Sequence, residues 1–273
     1  MSTNTANSGI FFENVFLKSL WDQRKAILGW GLGLAGLAFI TLLAFPSIGS
    51  NPEFDQLFKQ LPQLKGFLGD VAAFDTLEGF VTSQFLAFMP VILTIYVVMA
   101  ATGTVTGEIE SGTMDYLLAH PLPRWRVALE KYMALLVALV LICLIIGLGM
   151  WLGGVTIGQN VSFGTWMLAG IDIAPLTLLY GSVAFALACA LRGRGIPIGV
   201  AVALAVAGFI LNGLAPLVEN IERYREWTIY YLFAASKPFS SGLEPFYTAI
   251  LIAGSAAFLI LGVGAFLRRD MLS

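Results

Sequence analysis

Charge is what this sequence has least of. Across 273 residues only 12% are Asp, Glu, Lys or Arg, and 17 acidic against 15 basic side chains leave a net charge of -2. No overall basic field exists to attract nucleic acid, so charge can matter only loop by loop. Cysteine is nearly absent. Cys143 and Cys189 both lie inside apolar runs, which argues against a disulfide framework and a cysteine-based metal site. The single histidine, His120, has no neighbour at ligand spacing. No G-x-x-x-x-G-K-[ST] occurs: Gly103 and Gly107 have the wrong spacing and no Lys-Ser/Thr follows, so this chain cannot cradle nucleotide phosphates. Nor does a D-x-x-D pair stand near the span ends, where a lipid transferase would hold a divalent metal.

What is present is hydrocarbon: 58% of the residues are apolar, far outside soluble composition. A helix crossing about 30 Å of bilayer core needs about 20 mostly apolar residues. Six stretches qualify, 26–45, 85–106, 133–155, 166–191, 196–218 and 245–267. Residues 132–171 carry no charge over twice the crossing length, so the chain must turn once inside them. The turn is expected within 153–165, where glycines, Gln159 and Asn160 break the apolar pattern, with Trp151 and Trp166 flanking it at headgroup level. The fold expected is therefore an all-α integral membrane protein forming a single transmembrane domain over residues 1–273.

An even number of spans puts both termini on one side. Lys18, Arg24, Lys25, Arg124, Arg126, Lys131, Arg192, Arg194, Arg268 and Arg269 fall on that side, and Lys59, Lys65, Arg223, Arg225 and Lys237 on the other. The positive-inside bias then places both termini in the cytoplasm. Residues 10–25 precede the first span with Phe12, Val15, Phe16, Ser19 and Leu20 on one helical face, which suits an interfacial amphipathic helix.

The connections carry more information than the spans. The external segment 46–79 repeats Phe54, Leu57, Phe58 and Leu61 at helical spacing, and the external segment 219–244 places Trp227, Tyr230 and Tyr231 after a charged run. Both read as external amphipathic helices, resting on the membrane or forming a gate or dimer contact. Asp172 is the only carboxylate well inside an expected span, with either a structural role or one in transport. Gly29 with Gly33, Gly149 with Gly153, and Gly195 with Gly199 recur at spacing four, which lets helices approach closely.

The segment 108–131 differs from the rest. It concentrates Glu108, Glu110, Asp115, Arg124, Arg126, Glu130 and Lys131 between nearly chargeless spans, with Gly112, Pro121 and Pro123 as helix breakers. Glu108, Gly112, Thr113, Leu117, Leu118, Pro121, Arg124 and Lys131, in that order and spacing, resemble the signature after the second span of type-2 ABC transporter permeases. The N-terminal lead-in and the six-span plan are similar to that family too. A longer first external loop separates the chain from the family's sugar-polymer exporters.

The resemblance implies a prokaryotic plasma-membrane subunit that is not itself an enzyme and has no cofactor of its own. Two copies of a separate ABC ATPase, using ATP and Mg, would drive it through Glu108, Gly112, Leu117, Leu118, Pro121, Arg124 and Lys131. A second permease subunit, identical or closely related, would meet it at Gly29 and Gly33, and membrane lipid would surround the pair. The substrate implied is an amphipathic or hydrophobic drug, antibiotic or lipid, with Phe54, Leu57, Phe58, Leu61, Asp172, Trp227 and Tyr230 at the pathway or gate. An ion-coupled secondary transporter, or a non-transporting sensor or assembly subunit, are the alternatives.

Overall fold

The computed structural model describes residues 15–48, 76–110, 123–191, 193–214, 228–234, 238–239 and 242–268. Among them the chain is helical without strands: α1 (Val15–Ile48), α2 (Leu77–Val81), α3 (Met89–Glu110), α4 (Arg124–Thr156), α5 (Phe163–Ile171), α6 (Ile173–Ala190), α7 (Gly195–Leu214), α8 (Ile229–Ala234) and α9 (Pro245–Arg268). Among the described residues six stretches are long and apolar enough to cross a membrane: Val15–Ile48, Leu77–Thr104, Trp125–Thr156, Phe163–Ala190, Gly195–Leu214 and Pro245–Arg268. The all-α membrane fold is as expected, and the turn between the third and fourth spans falls at residues 157–162, inside the expected 153–165. Gly158 takes φ +73° there, a value other residues rarely adopt. Ser162 then caps α5 by accepting the Thr165 N–H at 3.1 Å.

Three expectations need correction. Residues 10–14 of the lead-in lie outside the described residues, and from Val15 onward the lead-in is not a separate helix but the first three turns of α1, which is 34 residues long. Residues 16–28 contain neither Gly nor Pro, so nothing stops the helix before the apolar run begins. The second and fourth spans are also not single helices. Span two starts at Leu77, and a π-helical turn at Thr82–Leu86 separates α2 from α3. Pro90 explains this interruption, because it has no N–H for the Leu86 carbonyl and its ring crowds the preceding turn. The widened turn is closed instead by the Ala87 N–H on the Thr82 carbonyl at 2.8 Å. In span four the break between α5 and α6 falls at Asp172, and Pro175 likewise withholds a donor from the Ile171 carbonyl. Finally, Trp166 is no interfacial anchor. Its ring is fully buried, edge-on to Phe239 at 5.2 Å and against Gly154.

α6 is the axis of the molecule. Every residue from Ile173 to Phe185 is buried, enclosed by α3, α4, α7 and α9. Its hydroxyls are satisfied locally, as hydrocarbon demands: Ser182 donates to the Leu178 carbonyl at 2.7 Å and shares a 2.7 Å bond with the Tyr132 hydroxyl. α1 packs along α4 instead of against the axis. Leu28, Leu32, Ile40 and Leu43 of α1, with Ile196 and Leu204 of α7 and Ile260 and Leu261 of α9, remain exposed. Such a continuous apolar exterior matches lipid and not water.

Candidate functional site

At the end of the bundle that carries Val15, three helices, α1, α3 and α4, are tied by polar contacts. Glu130 and Lys131, adjacent in the second turn of α4, fasten in opposite directions. Glu130 accepts the Phe16 N–H of α1 through Oε2 at 3.2 Å, while its Oε1 accepts Arg126 Nε at 2.7 Å. That carboxylate satisfies one orphan donor near the first turn of α1 and complements the positive end of its dipole. Lys131, only 2% exposed, donates from Nζ to the Thr104 carbonyl of α3 at 2.6 Å. A buried ammonium needs such a partner, since an unpaired charge there would be costly. Two turns further in, Tyr96 of α3 donates to Gln23 of α1 at 3.0 Å. The second and third spans are thus bound together just where the chain leaves for residues 111–122.

Of the residues expected to couple to an ATPase, Lys131 therefore sits in a buried tie. Glu108 lies on α3 and Arg124 is the first residue of α4, after Pro123 in extended conformation. Residues 124–131 continue directly into the third span, with Pro123 at the start of that helix as its position suggested. Gly112, Leu117, Leu118 and Pro121 lie outside the described residues.

At the opposite end the two interrupted spans meet a short inserted helix. α8 does not lie on the surface as its aromatic content implied. Tyr230, 2% exposed, and Phe233 are buried with Leu176, Leu179 and Tyr180 of α6, Ala205 of α7 and Leu251 of α9. The Tyr230 ring stacks edge-on against Phe209 at 5.5 Å and Phe233 at 5.8 Å. Its hydroxyl donates to the Ala87 carbonyl at 2.5 Å, in the turn between the π-helical segment and α3. The phenol thus bonds a backbone group where the regular ladder of span two is broken. Tyr230→Phe keeps the ring packing and removes only that bond. It is expected to lower unfolding stability in detergent by about 1 kcal/mol, and an unchanged thermal midpoint would show that Ala87 finds another donor. Asp172 is buried at 6% exposure at its helix junction. Phe54, Leu57, Phe58, Leu61 and Trp227 lie outside the described residues.

The glycine pairs separate by their surroundings. A Cβ added at Gly149 would strike the backbone of Ala35, and one at Gly153 would strike Leu42, so this pair serves the contact of α4 with α1 inside the chain. At Gly29 and Gly33 an added Cβ would meet nothing within 4 Å. Both line an open groove of about 530 Å³ with Lys25, Ala26, Trp30 and Leu34. Gly195 and Gly199 are equally open. Among the described residues no group of His, Cys, Asp or Glu could hold a metal ion.

Sequence reading missed the double role of Glu130, the Gln23 to Tyr96 bridge and the inward turn of Tyr230. Pro90 and Pro175 were visible signals of the interruptions, but the carbonyls they free and the partners that answer them are set by packing. Residues 19–267 match a family model described as the C-terminal domain of the multidrug efflux system permease Rv1217c. The chain is also 24% identical over 226 residues, covering 72% of it and 69% of the relative, to the uncharacterized protein YhcI of Bacillus subtilis (strain 168).

Proposed function

This chain belongs to the multidrug efflux permease family of the Rv1217c C-terminal domain, and we propose that it is the membrane subunit of an ATP-driven exporter of the type-2 ABC class. A permease of an efflux system must be energised, yet this chain carries no phosphate-binding loop of its own. The observation that carries the reading is the pair of ties made by Glu130 and Lys131. They bind α1, α3 and α4 into one body at both roots of the segment 111–122, so a push on that segment moves three spans together. Charge placement assigns this end to the cytoplasm. The open groove at Gly29 and Gly33 supports docking of a second copy or a closely related chain, with the pathway between them. Substrate, on this reading, is an amphipathic or hydrophobic drug, antibiotic or lipid, since the spans offer apolar walls and little charge.

An ion-coupled carrier is the second reading, favoured by Asp172, a buried carboxylate at an interrupted helix. One experiment separates the two. Tagged chain purified from its native membrane should bring an ABC ATPase with it, and the pair in vesicles should hydrolyse ATP faster when a transported drug is added. Efflux driven by an imposed proton gradient without ATP, and abolished in Asp172→Asn, would instead establish the carrier.

A further inference from the structure

The N-terminal third of α1 presents two different faces. One holds Lys25, Gly29 and Gly33 and belongs to the groove already described. The other holds Leu17, Leu20, Trp21, Arg24, Ile27 and Leu28, which together with Leu141 of α4 line a separate open groove of about 350 Å³. The Arg24 guanidinium lies over the Trp21 ring, 4.3 Å from its centroid, and donates to the Trp21 carbonyl at 2.7 Å. These contacts pin the head group at the mouth of the groove. The side chain is exposed, and only one of its five N–H donors is used in that bond, so part of the planar fork remains presented outward.

Depth along α1 defines what this fork faces. At 1.5 Å per residue, about 20 residues cross the 30 Å hydrocarbon core. Counted back from Ile48, the end of α1, the core boundary falls near Leu28. Arg24 then sits one helical turn, about 6 Å, beyond it, at the level of lipid phosphates. Trp21 lies in the interfacial zone that tryptophan favours, and Ile27, Leu28 and Leu141 lie where acyl chains begin. Charge favours one kind of headgroup. The groove is lined by one cation and no carboxylate, and Lys25 is the next residue. The nearest acid in sequence, Asp22, is about 200° round the helix from Arg24 at about 100° per residue. The ammonium of a zwitterionic headgroup would find no carboxylate among the residues that line this groove and would oppose the pull of Arg24 on its phosphate, so an anionic headgroup is favoured.

We propose that this groove is a binding site for an anionic phospholipid, its phosphate held by the Arg24 fork and one acyl chain lying along Ile27, Leu28 and Leu141. The arrangement parallels the general use of basic pockets between helices for anionic headgroups. It requires only that the chain lie in a membrane, and is independent of how export is driven.

The test is lipid retention. Full-length chain is taken from nanodiscs made with equal amounts of phosphatidylglycerol and phosphatidylcholine, and retained lipids are counted by native mass spectrometry. Wild type should retain phosphatidylglycerol preferentially. Arg24→Gln should lower that preference about tenfold, the worth of one charge-assisted hydrogen bond, and Arg24→Lys should fall between, because an ammonium lacks the fork. Leu141→Trp, which fills the acyl end and changes no charge, should reduce retention of the lipid itself. Lys18→Gln removes the same charge outside this groove and should leave the preference within about twofold of wild type, a bound set by the weak, screened worth of a distant surface charge. Soluble glycerol phosphate should not displace the retained lipid; if it does, the ligand is a free phosphate and the lipid assignment falls. An equal loss in Lys18→Gln and Arg24→Gln, or wild-type retention in both Arg24→Lys and Leu141→Trp, would overturn the site. The last two variants decide the question even if Arg24→Gln fails to fold.

Discussion

Efflux is expected to stop when Leu117 and Leu118 are both replaced by aspartate, with the ATPase lost from the purified complex and the permease still inserted in the membrane. These two leucines are the apolar pair in the segment between α3 and α4, and on the proposed reading they enter a socket on the ATPase. Burying each is worth about 1.5 to 3 kcal/mol, so losing both weakens docking by about a hundredfold or more. Putting carboxylates in their place adds a desolvation cost. Lys131→Met makes the necessary contrast. It removes the bond to the Thr104 carbonyl without touching the docking segment, so the ATPase should stay bound while less drug is exported per ATP hydrolysed. Measured coupling ratios distinguish a loose tie from a lost partner. If the double aspartate variant co-purifies with its ATPase and keeps drug-stimulated hydrolysis, the docking assignment is wrong. If Lys131→Met exports at the wild-type ratio, the tie is structural only.

The second large effect concerns glycine. Gly149→Leu is expected to prevent accumulation of folded protein, because its Cβ would meet the carbonyl oxygen and Cα of Ala35, backbone atoms that cannot rotate aside. Separating α1 from α4 to admit it costs more than the usual 1 to 3 kcal/mol of overpacking, since the contact runs along both helices. Gly29→Leu adds the same side chain into open space. It should leave the thermal midpoint of the single chain unchanged while lowering the fraction of dimer seen by crosslinking in membranes. Wild-type expression and melting of Gly149→Leu would contradict the packing described here. An undiminished dimer fraction in Gly29→Leu would move the second copy to another face, with Gly195 and Gly199 next in line.

That contrast also marks how far reading the residues reached. The number of spans, the all-α class and the hairpin between the third and fourth spans follow from composition and length. An apolar run must cross in about 20 residues and hydrogen-bond to itself, and these are local demands a chain cannot evade. Pro123 before α4 is likewise local, since it acts on the backbone within one turn of itself. The candidate coupling segment stood out because charge is so rare elsewhere in the chain.

Spacing could not distinguish Gly149 with Gly153 from Gly29 with Gly33, for the two pairs have the same spacing and differ in what stands opposite. Nor could it give the direction of Tyr230 or Trp166. An amphipathic ring suits the headgroup region as well as the interior of a bundle, and only the packed helices show that Trp166 meets Phe239 and Tyr230 meets Phe209 and Phe233. The buried position of Lys131 was hidden for the same reason: a lysine beside a charged loop reads as solvated until a carbonyl from a helix 27 residues away is set within 2.6 Å of it. Sequence alone determined the all-α class, the six spans and the turn between the third and fourth. The meeting of helices decided which polar atoms share a buried end, which glycines are already filled, and which faces remain open for a partner or a lipid.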